Sequence, residues 1–224
     1  TGFMTFLFVL LIMIQPDLGS AAVISGIWFF LLLISGTKKR YIALLIVFVV
    51  FAAALGWFFF FQNYQKERLL TFLNPERDPL GAGYNVSQSI IAVGSGSWFG
   101  RGLGFGSQSQ LHFLPEAQTD FIFSVIGEEL GFAGTLLLLI VYLVLLWRLI
   151  RIARDCRSDF GAYTVLGIAF MFLLQLLVNI GAAIGLLPVT GVTLPFVSYG
   201  GSSLLINYIL IGIAQSAARS STRF

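Results

Sequence analysis

Charge is what this 224-residue chain has least of: Asp, Glu, Lys and Arg make up 10% of it, against roughly 25% in an ordinary soluble domain. Cysteine and histidine are scarcer still, with one of each, Cys156 and His112. A lone cysteine excludes an internal disulfide and a cysteine metal cluster. A lone histidine without such partners builds no metal site by itself. Acid and base nearly balance, and the formal net charge of +3 sits in clusters beside apolar runs. That is not the basic stripe of a nucleic-acid binder, so no nucleic-acid partner is expected.

What fills the chain instead is apolar. Hydrophobic residues reach 58% and the mean hydropathy is +0.92. A soluble core is the competing explanation, but a chain of 224 residues cannot bury that much apolar surface internally. Several runs approach the roughly 20 apolar residues that a helix needs to cross a bilayer. The expected fold is all-α: a polytopic transmembrane helix bundle, one integral membrane domain over residues 1–224, solvated by membrane lipids.

The first run, Thr1–Ile14, has no charged leader and no small-residue cleavage site. It reads as the end of a spanning helix that begins upstream, not as a signal peptide. Pro16 breaks the helical ladder beside Asp17. Further runs cover Leu18–Ser35, Tyr41–Phe61, Thr119–Trp147, Gly161–Leu187 and Tyr199–Ala218, giving about six spans. Between the third and fourth lies a stretch of about 57 residues, 62–118; connections so long usually carry function. Lys38, Lys39 and Arg40 form one basic group, Arg148, Arg151, Arg154 and Arg157 a second, and Arg219 with Arg223 a third. Six alternating spans put all three on one side, cytoplasmic by the positive-inside rule. The 62–118 stretch is then an extracellular loop, and the chain's end is cytoplasmic. A tight, re-entrant turn at Leu194–Ser203 leads into the last span, its backbone satisfied by protein or water because lipid cannot do so.

Inside the long loop, two prolines flank the polar turn Asn74–Pro79, and Val86, Ile90 and Val93 recur at helical spacing over Gly83–Val93. Residues 94–106 hold six glycines in thirteen positions. A phosphate cradle is one reading, but no βαβ unit or Walker lysine accompanies it, and turns hugging the membrane surface explain most of the glycines. Arg101 stands apart as a cation suited to a diphosphate.

Asp120 marks the point where the loop enters the fourth span. An ionisable group at a membrane boundary is costly and asks for a reason. Two reasons are open at this residue: capping the helix, where its dipole favours a carboxylate, or chemistry. Ser124, Gly127, Gly131 and Gly134 fall within about 40° of its direction on a regular helix, a small face that another helix can approach closely. Glu128 and Glu129, about two turns further on, cannot be caps and tilt the choice toward chemistry. Gln175 with Asn179, and Ser203 with Asn207, read as interhelical hydrogen-bonding pairs.

QPDLGSA at Gln15–Ala21, DPLGAGYNVSQSIIAVGSG at Asp78–Gly96, GRGLGFGSQSQLHFLPEAQTDFIFSVIGEELG at Gly100–Gly131 and LPVTGVTLPFVSYGGSS at Leu187–Ser203 resemble the SEDS family of RodA, FtsW and SpoVE. The wording at NPERDPLGAGYN and GSQSQLHFLPE is nearest the rod-shape branch. The resemblance implies about ten spans, of which this chain corresponds to a C-terminal segment. It also implies a peptidoglycan glycosyltransferase of the bacterial plasma membrane, polymerising lipid II beside a class B penicillin-binding protein, with the family's catalytic aspartate at Asp120. On that reading Asp120 takes the proton of the acceptor hydroxyl. Arg101, with Lys66 or Arg68, holds the diphosphate, or a divalent cation such as Mg does. Glu116 positions the acceptor or helps hold that ion, and Glu128 lines the site. A lipid II flippase, which places ionisable groups such as Asp17, Glu128 and Glu129 near the midplane, is the competing class, and a scaffold for the penicillin-binding protein is a third.

Overall fold

The computed structural model describes residues 2–15, 17–59, 63–74, 78, 81–111 and 113–222. Pro16, most of the Asn74–Pro79 turn, His112 and Arg223 lie outside the described residues. The elements in order are α1 (Gly2–Ile14), α2 (Leu18–Ile34), α3 (Lys39–Phe59), α4 (Asn63–Leu73), α5 (Ala82–Ser95), α6 (Ser107–Gln110), α7 (Ile122–Asp155), α8 (Asp159–Ala183) and α9 (Gly201–Thr222). No strand occurs among the described residues. Helices α3, α7, α8 and α9 are long and apolar enough to cross a membrane, and α1 and α2 are shorter apolar helices. These six match the six apolar runs, and the chain is a multi-pass membrane protein. The 62–118 stretch holds α4, α5 and α6.

Local chemistry sets the starts. Asp17 caps α2, its Oδ1 accepting from the Ser20 amide at 3.0 Å and its Oδ2 from the Ser20 hydroxyl at 2.6 Å. Ser158 caps α8 by accepting from the Gly161 amide at 3.1 Å. Helix α8 is the spine: Leu146, Leu149 and Ala153 of α7 and Ala214 of α9 bury against its Val165, Ile168, Ala169 and Phe172. On another side α2 runs antiparallel to it, with Phe30 stacked on Phe170 at 3.7 Å and Gly26 close to Leu174. This packing gathers the basic groups at the start of α3 and the ends of α7 and α9 at one end of the bundle. Side chains such as Val47, Phe48 and Phe51 on α3 stay exposed, as on a helix solvated by acyl chains.

Helix α7 is not straight. Gly131, with φ 65° and ψ −163°, bends it in a conformation that side-chain-bearing residues rarely adopt. In an unbroken helix the amides of Phe132 and Ala133 would donate to the carbonyls of Glu128 and Glu129. Instead they donate to Ser97 and Trp98 at 2.9 and 3.0 Å, and the two glutamate carbonyls accept from the amides of Arg101 and Gly102 at 2.9 and 3.0 Å. The glycine-rich stretch is thus spliced into the break. The bend also folds α7 back on itself. On a straight helix Ile122 and Leu138 would stand about 24 Å apart, yet both pack on the cluster of Tyr142, Leu176 and Leu194.

The splice tolerates no side chain at positions 100 and 131. A Cβ on Gly131 would come within 2.3 Å of the Gly100 nitrogen, and one on Gly100 within 2.1 Å of the Glu129 carbonyl oxygen. Gly131→Ala is therefore expected to cost at least about 1–3 kcal/mol from the backbone conformation alone. Gly94→Ala, whose Cβ would meet nothing within 4 Å, should change stability by less than about 0.5 kcal/mol. Thermal unfolding in detergent, comparing the two variants with the parent, checks the contrast.

Candidate functional site

The site begins with a turn. Glu116 adopts φ 52°, and its carbonyl accepts from the amides of Thr119, Asp120 and Phe121 at 3.2, 3.1 and 3.3 Å. The Thr119 hydroxyl also donates to the Glu116 carboxylate at 3.0 Å. A non-glycine residue at positive φ is held there by its surroundings. Those surroundings grip three successive carbonyls: Gln118 accepts from the Tyr199 amide at 2.8 Å, Thr119 from the Ser198 hydroxyl at 2.6 Å, and Asp120 from the Asn179 side-chain amide at 3.0 Å. Ser198 Oγ in turn accepts from the Leu194 amide at 2.8 Å, so protein groups meet part of the backbone of the turn before α9.

Capping does not explain Asp120. The residue at the N-cap of α7 is Phe121, with no side-chain cap bond, so neither Thr119 nor Asp120 fills that role. The half-buried Asp120 borders a hollow of about 190 Å³. Arg68, Thr71 and Phe72 of α4, Asn85 and Val86 of α5, and Glu116, Phe121, Pro188 and Val189 form the rest of its wall. That volume is below the roughly 300–1,000 Å³ of pockets that enclose a drug-sized ligand, so this is a mouth and not a closed chamber. Burial pushes the Asp120 carboxyl above its ordinary range, the neighbouring Glu116 charge pushes it further, and Arg68 pulls it back.

Of the six residues singled out in the sequence, Asp120, Glu116 and Arg68 therefore meet at one mouth. Lys66 lies on α4 but does not line it. Arg101 hangs from the spliced loop, donating from Nη1 to Ser107 Oγ at 2.7 Å, and does not line it either. Glu128 is 0% exposed, with its carboxylate engaged by the amides of Gln108 and Ser109 at 2.9 and 3.2 Å and by the Ser107 hydroxyl at 3.3 Å. A carboxylate so enclosed fixes α6 against α7. It is not a group that touches a substrate in the mouth. Among the described residues no cluster of three or more His, Cys, Asp or Glu could hold a metal.

Two features of the site were not read from the sequence, the helix that carries Arg68 and the partners of Asn179. Helix α4 carries Arg68, Thr71 and Phe72, and its run of Gln65, Lys66, Glu67, Arg68, Leu69 and Leu70 is rich in helix formers that could have revealed it. Asn179 was read as an interhelical partner; its amide instead donates to the Asp120 and Val192 carbonyls, at 3.0 and 2.9 Å.

Fold and site together define a polytopic helical membrane protein with a half-buried acid at a charged mouth. Comparison with known proteins narrows the class. The FtsW, RodA and SpoVE family profile, described as a cell cycle protein, matches residues 1–223. The stage V sporulation protein E of Bacillus subtilis is 42% identical over 212 residues, covering 95% of this chain and 57% of the relative. The peptidoglycan glycosyltransferase MrdB of Escherichia coli is 44% identical over 207 residues, covering 92% and 56%. Among solved structures, one described as structural coordination of polymerization and crosslinking by a peptidoglycan synthase complex superposes with a TM-score of 0.80 at 33% identity, covering 100% of this chain and 62% of that one. The rod shape determining protein RodA of Thermus thermophilus gives 0.65 at 30% identity, covering 100% and 56%. The chain belongs to the FtsW, RodA and SpoVE family. It spans a little over half the length of these curated relatives, 57% and 56%.

The arrangement at the mouth makes a spectroscopic prediction. In the parent protein the Asp120 carboxyl should titrate above the usual carboxylate range; Glu116→Gln removes a neighbouring negative charge and should lower that value, and Arg68→Gln should raise it. The protonated carboxyl stretch in infrared difference spectra, followed against pH and assigned by its loss in Asp120→Asn, reads both directions.

Proposed function

We propose that the chain forms the reaction centre of a peptidoglycan glycosyltransferase that polymerises lipid II into β-1,4 glycan strands, serving wall elongation and cell shape. The observation that carries this reading is that the Asp120 carboxylate does not cap its helix. It borders a mouth that also presents a cation, Arg68, and a second acid, Glu116.

A sugar hydroxyl is a poor nucleophile near neutral pH, and a positioned carboxylate accepts its proton as attack develops. A carboxyl whose proton affinity is raised by burial is a better base for that purpose than an exposed one. Arg68 faces the charge that builds on the departing lipid diphosphate. Glu116, four residues before Asp120 on the same turn, orients the acceptor. A divalent cation such as Mg takes one or two carboxylates plus phosphate oxygens, and Glu116 is the group that would hold it beside the diphosphate. A single displacement at the anomeric carbon inverts it, so an α-linked donor yields a β-linked strand.

The clustering of the basic groups at the opposite end supports an outward-facing mouth, where both lipid-anchored substrates meet the membrane surface. A class B penicillin-binding protein is the expected partner. Transport fits less well: Asp17 is occupied as a cap and Glu128 as a loop anchor, so neither waits at the midplane for a cargo.

In the full natural protein, reconstituted with its penicillin-binding partner and given labelled lipid II, Asp120→Asn should lower strand synthesis by about 10²–10⁴-fold with folding intact. Full polymerisation by that variant would sink the assignment. Movement of lipid II between leaflets without strands would mark a transporter, and neither activity would mark a scaffold.

A further inference from the structure

A second, much smaller pocket shares Asp120 and Val189 with the mouth. Its volume is about 10 Å³, and its wall includes Asp120, Asn179, Val189, Thr190 and Val192. A space of about 10–15 Å³ is what one water molecule requires. Two polar atoms there stand out. Asn179 Oδ1 and Thr190 Oγ1 are both buried, and neither has a hydrogen-bond partner among the described residues.

The orientation of Asn179 is fixed by chemistry. Its side chain, 2% exposed, meets the Asp120 and Val192 carbonyls, which can only accept. Both amide hydrogens are therefore engaged, and Oδ1 is the acceptor that remains. Thr190 brings a hydroxyl that donates as well as accepts. Buried acceptors are rarely left unmet, and a water with two to four polar partners is the usual remedy. Neighbouring contacts hold the Thr190 side well: a Cβ on Gly19 would come within 2.5 Å of the Thr190 carbonyl oxygen, so the start of α2 is pressed against this loop.

We infer that Asn179 and Thr190 bind one structural water beside Asp120, and that this water, through its remaining hydrogen, holds the Asp120 carboxylate facing the mouth. The water donates to Asn179 Oδ1, accepts from the Thr190 hydroxyl and donates to the carboxylate. Asn179 and Thr190 are then positioning residues. Asn179 acts twice, since it also fixes the Asp120 backbone. The inference rests on the proposed role of Asp120 as the base. The other charged groups that act on that carboxylate, Glu116 and Arg68, face it from the mouth and are left untouched by changes at Thr190.

The test is Thr190→Val, close to isosteric but without the hydroxyl, beside Thr190→Ser, which keeps it. In the full natural protein assayed with lipid II, Thr190→Val should lower kcat about tenfold with KM within about twofold. Losing a donor to the charged carboxylate should also move the acid limb of the rate profile upward, and Thr190→Ser should restore both. A structure of the parent at better than about 2 Å should show density between Asn179 Oδ1 and Thr190 Oγ1, lost in Thr190→Val. Absent density in the parent overturns the inference whatever the rates do, and a Thr190→Val variant with unchanged kcat and acid limb overturns the positioning role. If Asp120→Asn still makes strands, the catalytic reading fails instead, and the density result stands apart from it.

Discussion

Four backbone hydrogen bonds at the bend of α7 hold the architecture together. A helix broken inside an apolar environment exposes amides and carbonyls that lipid cannot satisfy, each at a cost of several kcal/mol. Here the stretch after α5 supplies the missing partners one for one, with Ser97 and Trp98 receiving and Arg101 and Gly102 giving. Glycine at 100 and 131 is what lets two backbones come so near. Because the break is satisfied in this way, α7 can turn back and bring Ile122 near the middle of its own second half. The mouth depends on that return path.

Once the bend is made, buried polar contacts fix α5 and the acid's turn. Ser89 of α5 meets Ser124 of α7 at 2.6 Å and the Ala183 carbonyl of α8 at 2.7 Å, locking three helices at one point. Glu128 secures α6 from below, and Arg101 joins the same network through Ser107. The division of labour is clear in charge terms. Glu128 is buried and structural, whereas Asp120 is half-buried at the mouth and its proton affinity is raised. A buried carboxyl group persists when it is hydrogen-bonded, and three donors meet the one on Glu128.

The fold class was readable because hydropathy over long runs is a strong signal: the six apolar helices sit close to where the runs predicted them. Asp120 was readable because a carboxylate at a membrane boundary is conspicuous, and Glu116 and Arg68 because charge near it is rare. Arg101 and Glu128 show the limit. Arg101 belongs to the stretch spliced into the bend at Gly131, and Glu128, before the bend, is enclosed by the start of α6; helical-wheel arithmetic shows neither. Gly134 lost its place on the Asp120 face because it lies beyond the bend. Asn179 was recognised as polar and buried, but a sequence cannot say that its partners are carbonyls 59 and 13 residues away.

The span of those contacts has a consequence for how the protein comes into being. The carbonyls of Thr119 and Asp120 are held by residues 79 and 59 positions later in the chain. With ribosomes adding about 5–20 residues per second, several seconds separate emergence of the acid from emergence of the groups that fix it. During that interval the nascent acid has the α4 and α5 side of its wall in the chain but lacks its backbone clamp and the Pro188–Val189 side. The turn that carries Asp120 is therefore completed only once the chain has been made as far as Tyr199, and a chain that stops before Asn179 lacks all three of the groups that grip it.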